Sequence, residues 1–147
     1  MQYAATIEGM RYPEPLIAPM RAELSQNGVV EARTPEQVEQ LLAPGSGTVM
    51  MVVNSVCGCA AGKARPGILM ALKHSVAPKT SATVFAGADV EAVQRVRELL
   101  PQFAPSSPSV AIFKDGVPVF MLHRHQIESQ QAPQIAAMLT QAFDQYC

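Results

Sequence analysis

Cys57-Gly58-Cys59 sets two thiols one residue apart, directly after the apolar run Val49-Met50-Met51-Val52-Val53 and before the small residues Ala60-Ala61-Gly62. This order reads as a buried strand that delivers two cysteines to a helix N-terminus. Unpaired backbone N–H groups and the positive end of the helix dipole stabilise a thiolate there, and the thiolate is the reactive form of cysteine. The chemistry implied is thiol–disulfide exchange. Cys57, nearest the strand end, is the expected nucleophile, because thiolate fraction and access govern exchange. Cys59 is close enough to attack an adduct on Cys57, which releases the second thiol and closes a small disulfide ring. The unfavourable geometry of such a ring makes it easily reduced, which suits isomerisation or resetting by a small thiol better than reduction of stable disulfides. Gly58 either supplies backbone freedom for that ring or avoids a side-chain clash.

The same two thiolates could instead serve a small metal-binding protein. Zinc would need about two further ligands, from among Cys147, His74, His123 and His125, and no second paired motif supplies them. His123 and His125 alternate at the end of an expected strand and so should point to opposite faces. Either one stabilises a thiolate or moves a proton, or is a packing or surface residue. Lys63 and Arg65 follow the motif on its helix. Their first reading is ordinary solvation; the alternative is attraction of the carboxylates of a low-molecular-weight thiol. Arg65 stands about two turns from Cys57, too far for direct pairing. Cys147 is either an incidental thiol, a resolving residue or the site of an intermolecular bridge.

The elements that must position these residues are legible in outline. Glu14 to Gln26 places Leu16, Ile17, Met20 and Leu24 at helical spacing before Gly28, and Val29 to Ala32 is a short strand. Thr34-Pro35-Glu36-Gln37 is an N-cap, a first-turn proline and a capping-box glutamine, opening a helix that ends near Pro44-Gly45. Thr48 to Asn54 is a strand of unbroken hydrophobicity, as expected when helices cover both faces. Pro66 should kink the helix after the cysteines by pressing on the carbonyl of Gly62. Thr80 to Ala86 is the next strand, and Asp89 begins a helix with Val93, Val96, Leu99 and Leu100 inward. Two strands, Val110 to Phe113 and Val117 to Met121, flank Lys114-Asp115-Gly116, a hairpin signal. A final helix after Pro133 carries Ile135, Met138, Leu139, Ala142 and Phe143 on one face.

With 147 residues, 48% apolar and 16% charged, the chain has enough material for a single domain over 1–147. Eleven basic residues against twelve acidic ones, a net charge of -1 and no basic run exclude the footprint of a nucleic-acid binder. Met1 to Pro13 lacks the pattern of a secretory leader, and no apolar run approaches the ~20 residues of a membrane span. The expected compartment is the cytoplasm, where closely spaced cysteines are more often catalytic or metal-binding than structural.

The run Asn54-Ser55-Val56-Cys57-Gly58-Cys59-Ala60-Ala61-Gly62-Lys63-Ala64-Arg65-Pro66 is similar to the active-site signature of the bacilliredoxins, thioredoxin-fold proteins with a CxC motif. Pro108 before Ser109-Val110-Ala111-Ile112-Phe113 resembles the cis-proline position of that fold, and Arg124-His125-Gln126-Ile127-Glu128 resembles a family segment before the last helix. The resemblance implies an α/β thioredoxin-like fold: a central mixed sheet flanked by helices, here with an added N-terminal helix. It implies a thiol–disulfide oxidoreductase or isomerase acting through Cys57 and Cys59 with no bound cofactor. The co-substrate is bacillithiol or a similar low-molecular-weight thiol, and the partners are proteins carrying mixed disulfides with it. It favours His125 over His123 for an accessory role. It also gives Pro108 a purpose besides that of a structural turn: a cis peptide brings the backbone of Ser107 beside the thiols, where an extended substrate segment can add as a strand. Oligomeric state is left open.

Overall fold

The computed structural model describes residues 11 to 147, so the leader expectation for Met1 to Pro13 falls largely outside the described residues. Along the chain run α1 (Glu14–Ser25), β1 (Val30–Glu31), α2 (Pro35–Leu41), β2 (Thr48–Asn54), a wide turn of π-helix (Ala60–Ala64) continuing into α3 (Arg65–Ala71), β3 (Thr80–Phe85), α4 (Val90–Glu98), β4 (Ser109–Lys114), β5 (Val117–Leu122), α5 (Arg124–Glu128) and α6 (Ala132–Tyr146). The strands form one sheet in the order β1-β3-β2-β4-β5. β2 pairs parallel with β3 and antiparallel with β4, while β1 and β5 form the two edges. This is the mixed sheet flanked by helices that the sequence leads one to expect, with α1 as the added N-terminal helix.

The unbroken hydrophobicity of β2 follows from its position. Val49, Met51 and Val53 pack with Val38 of α2 and Ala92, Val93 and Val96 of α4. Met50 and Val52 face the other way, toward Ile68 and Ala71 of α3 and Ile135, Leu139 and Phe143 of α6. A strand buried on both sides needs apolar residues at every position rather than at alternate ones. Its C-terminal end carries the cysteine loop, so the site is mounted on a central strand buried on both faces.

Local chemistry sets the remaining joints. Thr34 and Gln37 form the expected reciprocal capping box. Asp115 (φ 51) and Gly116 (φ 83) take left-handed conformations in succession, as a tight hairpin turn requires. At Gly116 a Cβ would also stand 2.8 Å from the Leu42 carbonyl oxygen.

Pro66 disrupts its helix in a way the kink expectation missed. The backbone N–H of Arg65 bonds to the carbonyl of Ala60, five residues back, and the α-helix restarts at Arg65. Pro66 thereby falls in a first turn, where its missing N–H costs nothing. One residue on, a Cβ on Gly67 would lie 2.7 Å from Ile135 Cγ2, so glycine sets how closely α3 approaches α6.

Asp89 precedes α4 as expected but does not cap it. Its carboxylate receives two 2.8 Å hydrogen bonds from Arg21 of α1, and Oδ2 also accepts from the Phe85 N–H at 3.0 Å. Both side chains are buried, and a buried guanidinium demands a paired counter-charge more strongly than a helix demands a cap. The bond fastens α1 to the β3–α4 corner.

Candidate active site

From Asn54 to Cys57 the loop is tied down bond by bond. Asn54 ends β2 and is buried; its Nδ2 donates to the Met20 carbonyl of α1 at 3.2 Å, and its Oδ1 accepts from the Ser55 N–H at 2.8 Å. Ser55 Oγ in turn accepts from the Cys57 N–H at 3.0 Å. Beneath them lies Arg65, only 3% exposed. Its Nη1 donates to Asn54 Oδ1 and to the Ser55 carbonyl, each at 2.9 Å, and its Nε pairs with Glu23 of α1 at 2.9 Å. The wide turn explains this inward aim: a bond spanning five residues stacks Arg65 beneath buried Ala60 rather than beneath exposed Ala61.

On the outer side, Cys57 and Cys59 are both free thiols at the head of the helix. Cys57 is held below the ordinary thiol range. The largest cause is a hydrogen bond from the Cys59 thiol; the Cys59 N–H, the positive charge of Arg124 and the Ala60 N–H add to it. Cys59 is pushed up, first by burial and then by donating to Cys57 and by that neighbour's charge. Deprotonation thus comes first at Cys57, with Cys59 holding its proton beside it.

Arg124 is the residue that sequence reasoning passed over. Its Nη2 donates to Cys57 Sγ at 3.3 Å, its Nη1 to the Ser107 carbonyl at 3.1 Å and its Nε to Glu128 Oε1 at 2.7 Å. One guanidinium therefore touches the sulfur, the proline loop and the far end of its own helix. The usable signal was the Arg124/Glu128 pair, which are four apart and so neighbours on a helix. Lys63 donates to the Glu128 carbonyl at 2.6 Å, closing the same rim from the cysteine helix.

The other expected residues fall on both sides of the outcome. The Ser107-Pro108 peptide is cis, and the Ser107 carbonyl faces the site, where Arg124 already occupies it. Arg65 is not solvated as first read: it is buried and acts from below the loop, out of reach of a carboxylate in the cleft. His123 and His125 do not point to opposite faces. The strand stops at Leu122, the chain turns into α5, and the two rings stack with centroids 5.5 Å apart and planes 14° apart. The cleft is lined by Arg124 and Glu128 from this segment, not by His125.

Gly58 has no left-handed φ and, its two cysteine neighbours aside, no atom lies within 4 Å of where its Cβ would stand, so crowding by the rest of the chain does not explain it. Cys147 neighbours Thr48 and Lys114 at the opposite end of the sheet. The length of β2, roughly 20 Å at about 3.3 Å per residue, separates it from the loop, so it cannot resolve an adduct on Cys57 of its own chain. Among the described residues, no group of three or more His, Cys, Asp or Glu side chains is arranged to hold a metal ion. No described helix is long and apolar enough to cross a membrane.

Residues 12–147 match the family model described as disulphide isomerase. A bacilliredoxin of Koribacter versatilis is 52% identical over 92% of this chain and 94% of its own length. A bacilliredoxin of Cytophaga hutchinsonii is 51% identical over 91% and 98% respectively. Among solved structures, an oxidoreductase described as putative, with a thioredoxin fold, superposes with a TM-score of 0.57 at 13% identity, covering 78% of this chain and 95% of that one. Thioredoxin from Aeropyrum pernix gives 0.53 at 21% identity, with 77% and 84% covered. These structural likenesses establish the fold. The sequence matches establish the family: the chain belongs to the bacilliredoxins, thiol–disulfide redox proteins built on the thioredoxin fold.

Proposed function

We propose that this protein removes bacillithiol, or a closely similar low-molecular-weight thiol, from protein cysteines in the cytoplasm, working as one domain over 1–147. The Cys57 thiolate attacks the mixed disulfide on the sulfur of the small thiol, and the protein cysteine leaves as a thiolate. Cys59 then loses its proton and attacks the Cys57 adduct, which frees the small thiol and leaves a Cys57–Cys59 disulfide for an external thiol to reduce. The names of the relatives favour bacillithiol. The observation that carries the division of labour is the asymmetry of the pair, with Cys57 held down by N–H groups and Arg124 while Cys59 is pushed up beside it. Ser107 and Pro108 form the wall against which the protein half of the substrate lies. Gly58, bare and exposed, leaves the approach to Cys57 open.

The test mixes a Cys59→Ser variant with a bacillithiol-modified model protein and reads intact masses, with Cys57→Ser as control. The expected result is one bacillithiol on Cys57 and none in the control. Absence of the adduct, with Cys57 still reactive toward other disulfides, would remove bacillithiol from the reading and leave disulfide isomerisation, which reactivation of a scrambled protein then measures. Near-stoichiometric zinc after chelator-free purification would overturn both in favour of a metal site.

A further inference from the structure

Cys57 gives up its charge during exchange, and Arg124 is placed so that it does not move with it. The guanidinium is fixed at two points that the reaction leaves untouched, Glu128 Oε1 at 2.7 Å and the Ser107 carbonyl at 3.1 Å; only its third contact, 3.3 Å from Cys57 Sγ, is to a reacting atom. When the Cys57 thiolate attacks, a Cys57–S bond forms to the nearer sulfur of the substrate, the substrate S–S bond breaks, and its electron pair departs with the far sulfur as a thiolate that water later protonates. The negative charge thus travels two S–S bonds, about 4 Å in all. A planar guanidinium carries five N–H donors and can face charge at either end of that path without reorganising.

We propose that Arg124 is a catalytic residue that stabilises the departing thiolate as well as the attacking one, with Glu128 as the positioning residue that aims it. The proposal rests on Cys57 being the attacking thiol. A cation that stabilised the attacking thiolate alone would be of mixed benefit: it would raise the thiolate fraction at neutral pH while lowering the intrinsic nucleophilicity of that sulfur. A cation that also meets the leaving sulfur stabilises the transition state in which both sulfurs share the charge, and that lowers the barrier. Its contact with the Ser107 carbonyl keeps it at the cleft wall where the substrate disulfide must lie.

The two roles separate above the Cys57 pKa, where thiolate fraction no longer matters. In a Cys59→Ser/Cys147→Ser background Cys57 is the sole thiol, and its single-turnover plateau rate is measured with a neutral alkyl disulfide and with a neutral aromatic one, whose thiol leaves readily unaided. Arg124→Gln is expected to lower the alkyl rate about tenfold, less than the loss from a fully enclosed donor because Arg124 is exposed, and to change the aromatic rate less than about twofold. Arg124→Lys should restore part of the alkyl rate, and Glu128→Gln should lower it less than Arg124→Gln does. An unchanged or faster alkyl plateau in Arg124→Gln overturns the proposal and leaves a residue that tunes only the Cys57 pKa. An equal loss with both disulfides overturns it too, since that points to a displaced loop. If the background protein fails to react with either disulfide, Cys57 is not the attacking thiol and the reading beneath the proposal falls with it.

Discussion

Two arginines flank the cysteine loop, one below and one above, and they do different work with the same group. Arg65 is buried among Asn54, Ser55 and Glu23, where every bond it makes is to the scaffold. Arg124 stands on an open rim, and one of its bonds is to the sulfur itself. Burial makes the first bond set energetically heavy and chemically silent. Exposure makes the second energetically light and chemically consequential, because water screens an open ion pair yet leaves a reacting sulfur sensitive to the nearest charge. The difference teaches that in this molecule the floor of the site determines where Cys57 stands and the rim determines how it reacts.

The comparison is broken first at the floor. Arg65→Met strands the Ser55 carbonyl in the interior, takes one of two donors from Asn54 Oδ1 and leaves Glu23 without its partner, and is expected to lower unfolding stability by about 3 kcal/mol in a denaturant titration. A loss no greater than that of a surface substitution would put the floor and the rim on equal terms. Next comes the joint behind the floor: Gly67→Ala drives a methyl into Ile135, with an expected cost of about 1–3 kcal/mol by the same titration. Arg124→Gln should change stability by less than about 0.5 kcal/mol.

Its effect is sought instead in the pH profile of Cys57 alkylation. A charge that favours the thiolate lowers the pKa, so its loss must move the midpoint upward and slow alkylation at neutral pH. Raising the salt concentration should shift the parent protein in the same direction and leave Arg124→Gln less affected. An unmoved midpoint would separate the rim from the chemistry. An effect of the opposite sign on stability is expected at Gly58→Ala. Its Cβ enters open space at an ordinary backbone angle, so stability should change by no more than about 1 kcal/mol, toward greater stability. If release of the Cys57 adduct by Cys59 then slows, glycine is there for the ring and not for the fold.

What the sequence revealed tracks the range of the interaction responsible. The Thr34 cap and the Asp115-Gly116 turn depend on neighbours within a few residues, and β2, although covered by distant helices, announces its double burial in one continuous apolar run, so all three patterns are written locally. The two cysteines were legible for the same reason. Arg124 was not, because its partner Cys57 is 67 residues away, and nothing in an Arg-x-x-x-Glu stretch tells which sulfur it will meet once the sheet has formed. The histidines beside it were misplaced by a boundary error: taking the strand past Leu122 put His123 and His125 on opposite faces, while the turn into α5 stacks them. Arg65 was misread because helical spacing was counted at a constant period across Ala60 to Ala64, where the backbone does not keep it. Asp89 was assigned the nearest helix when a buried charge 68 residues away, Arg21, held the stronger claim.

The wide turn at Ala60–Ala64 amounts to one residue of stored rotational phase. An α-helix advances about 100° per residue, so everything downstream of the turn is indexed one step later than the cysteines upstream of it. Deleting a single residue there, Ala61 for instance, would give back a regular helix in which Arg65 still stacks beneath Ala60, four residues on instead of five, so Arg65 would keep Asn54 and Glu23 and Gly67 would keep Ile135, while Pro66 would again press on the carbonyl of Gly62. The chain can therefore absorb the loss of one residue at Ala61 without losing the aim of Arg65, whereas a regular helix through all five residues would stack that side chain beneath exposed Ala61. A residue added between Cys57 and Cys59 can thus be matched by one removed at Ala61, which lengthens the spacer while the floor stays beneath the loop.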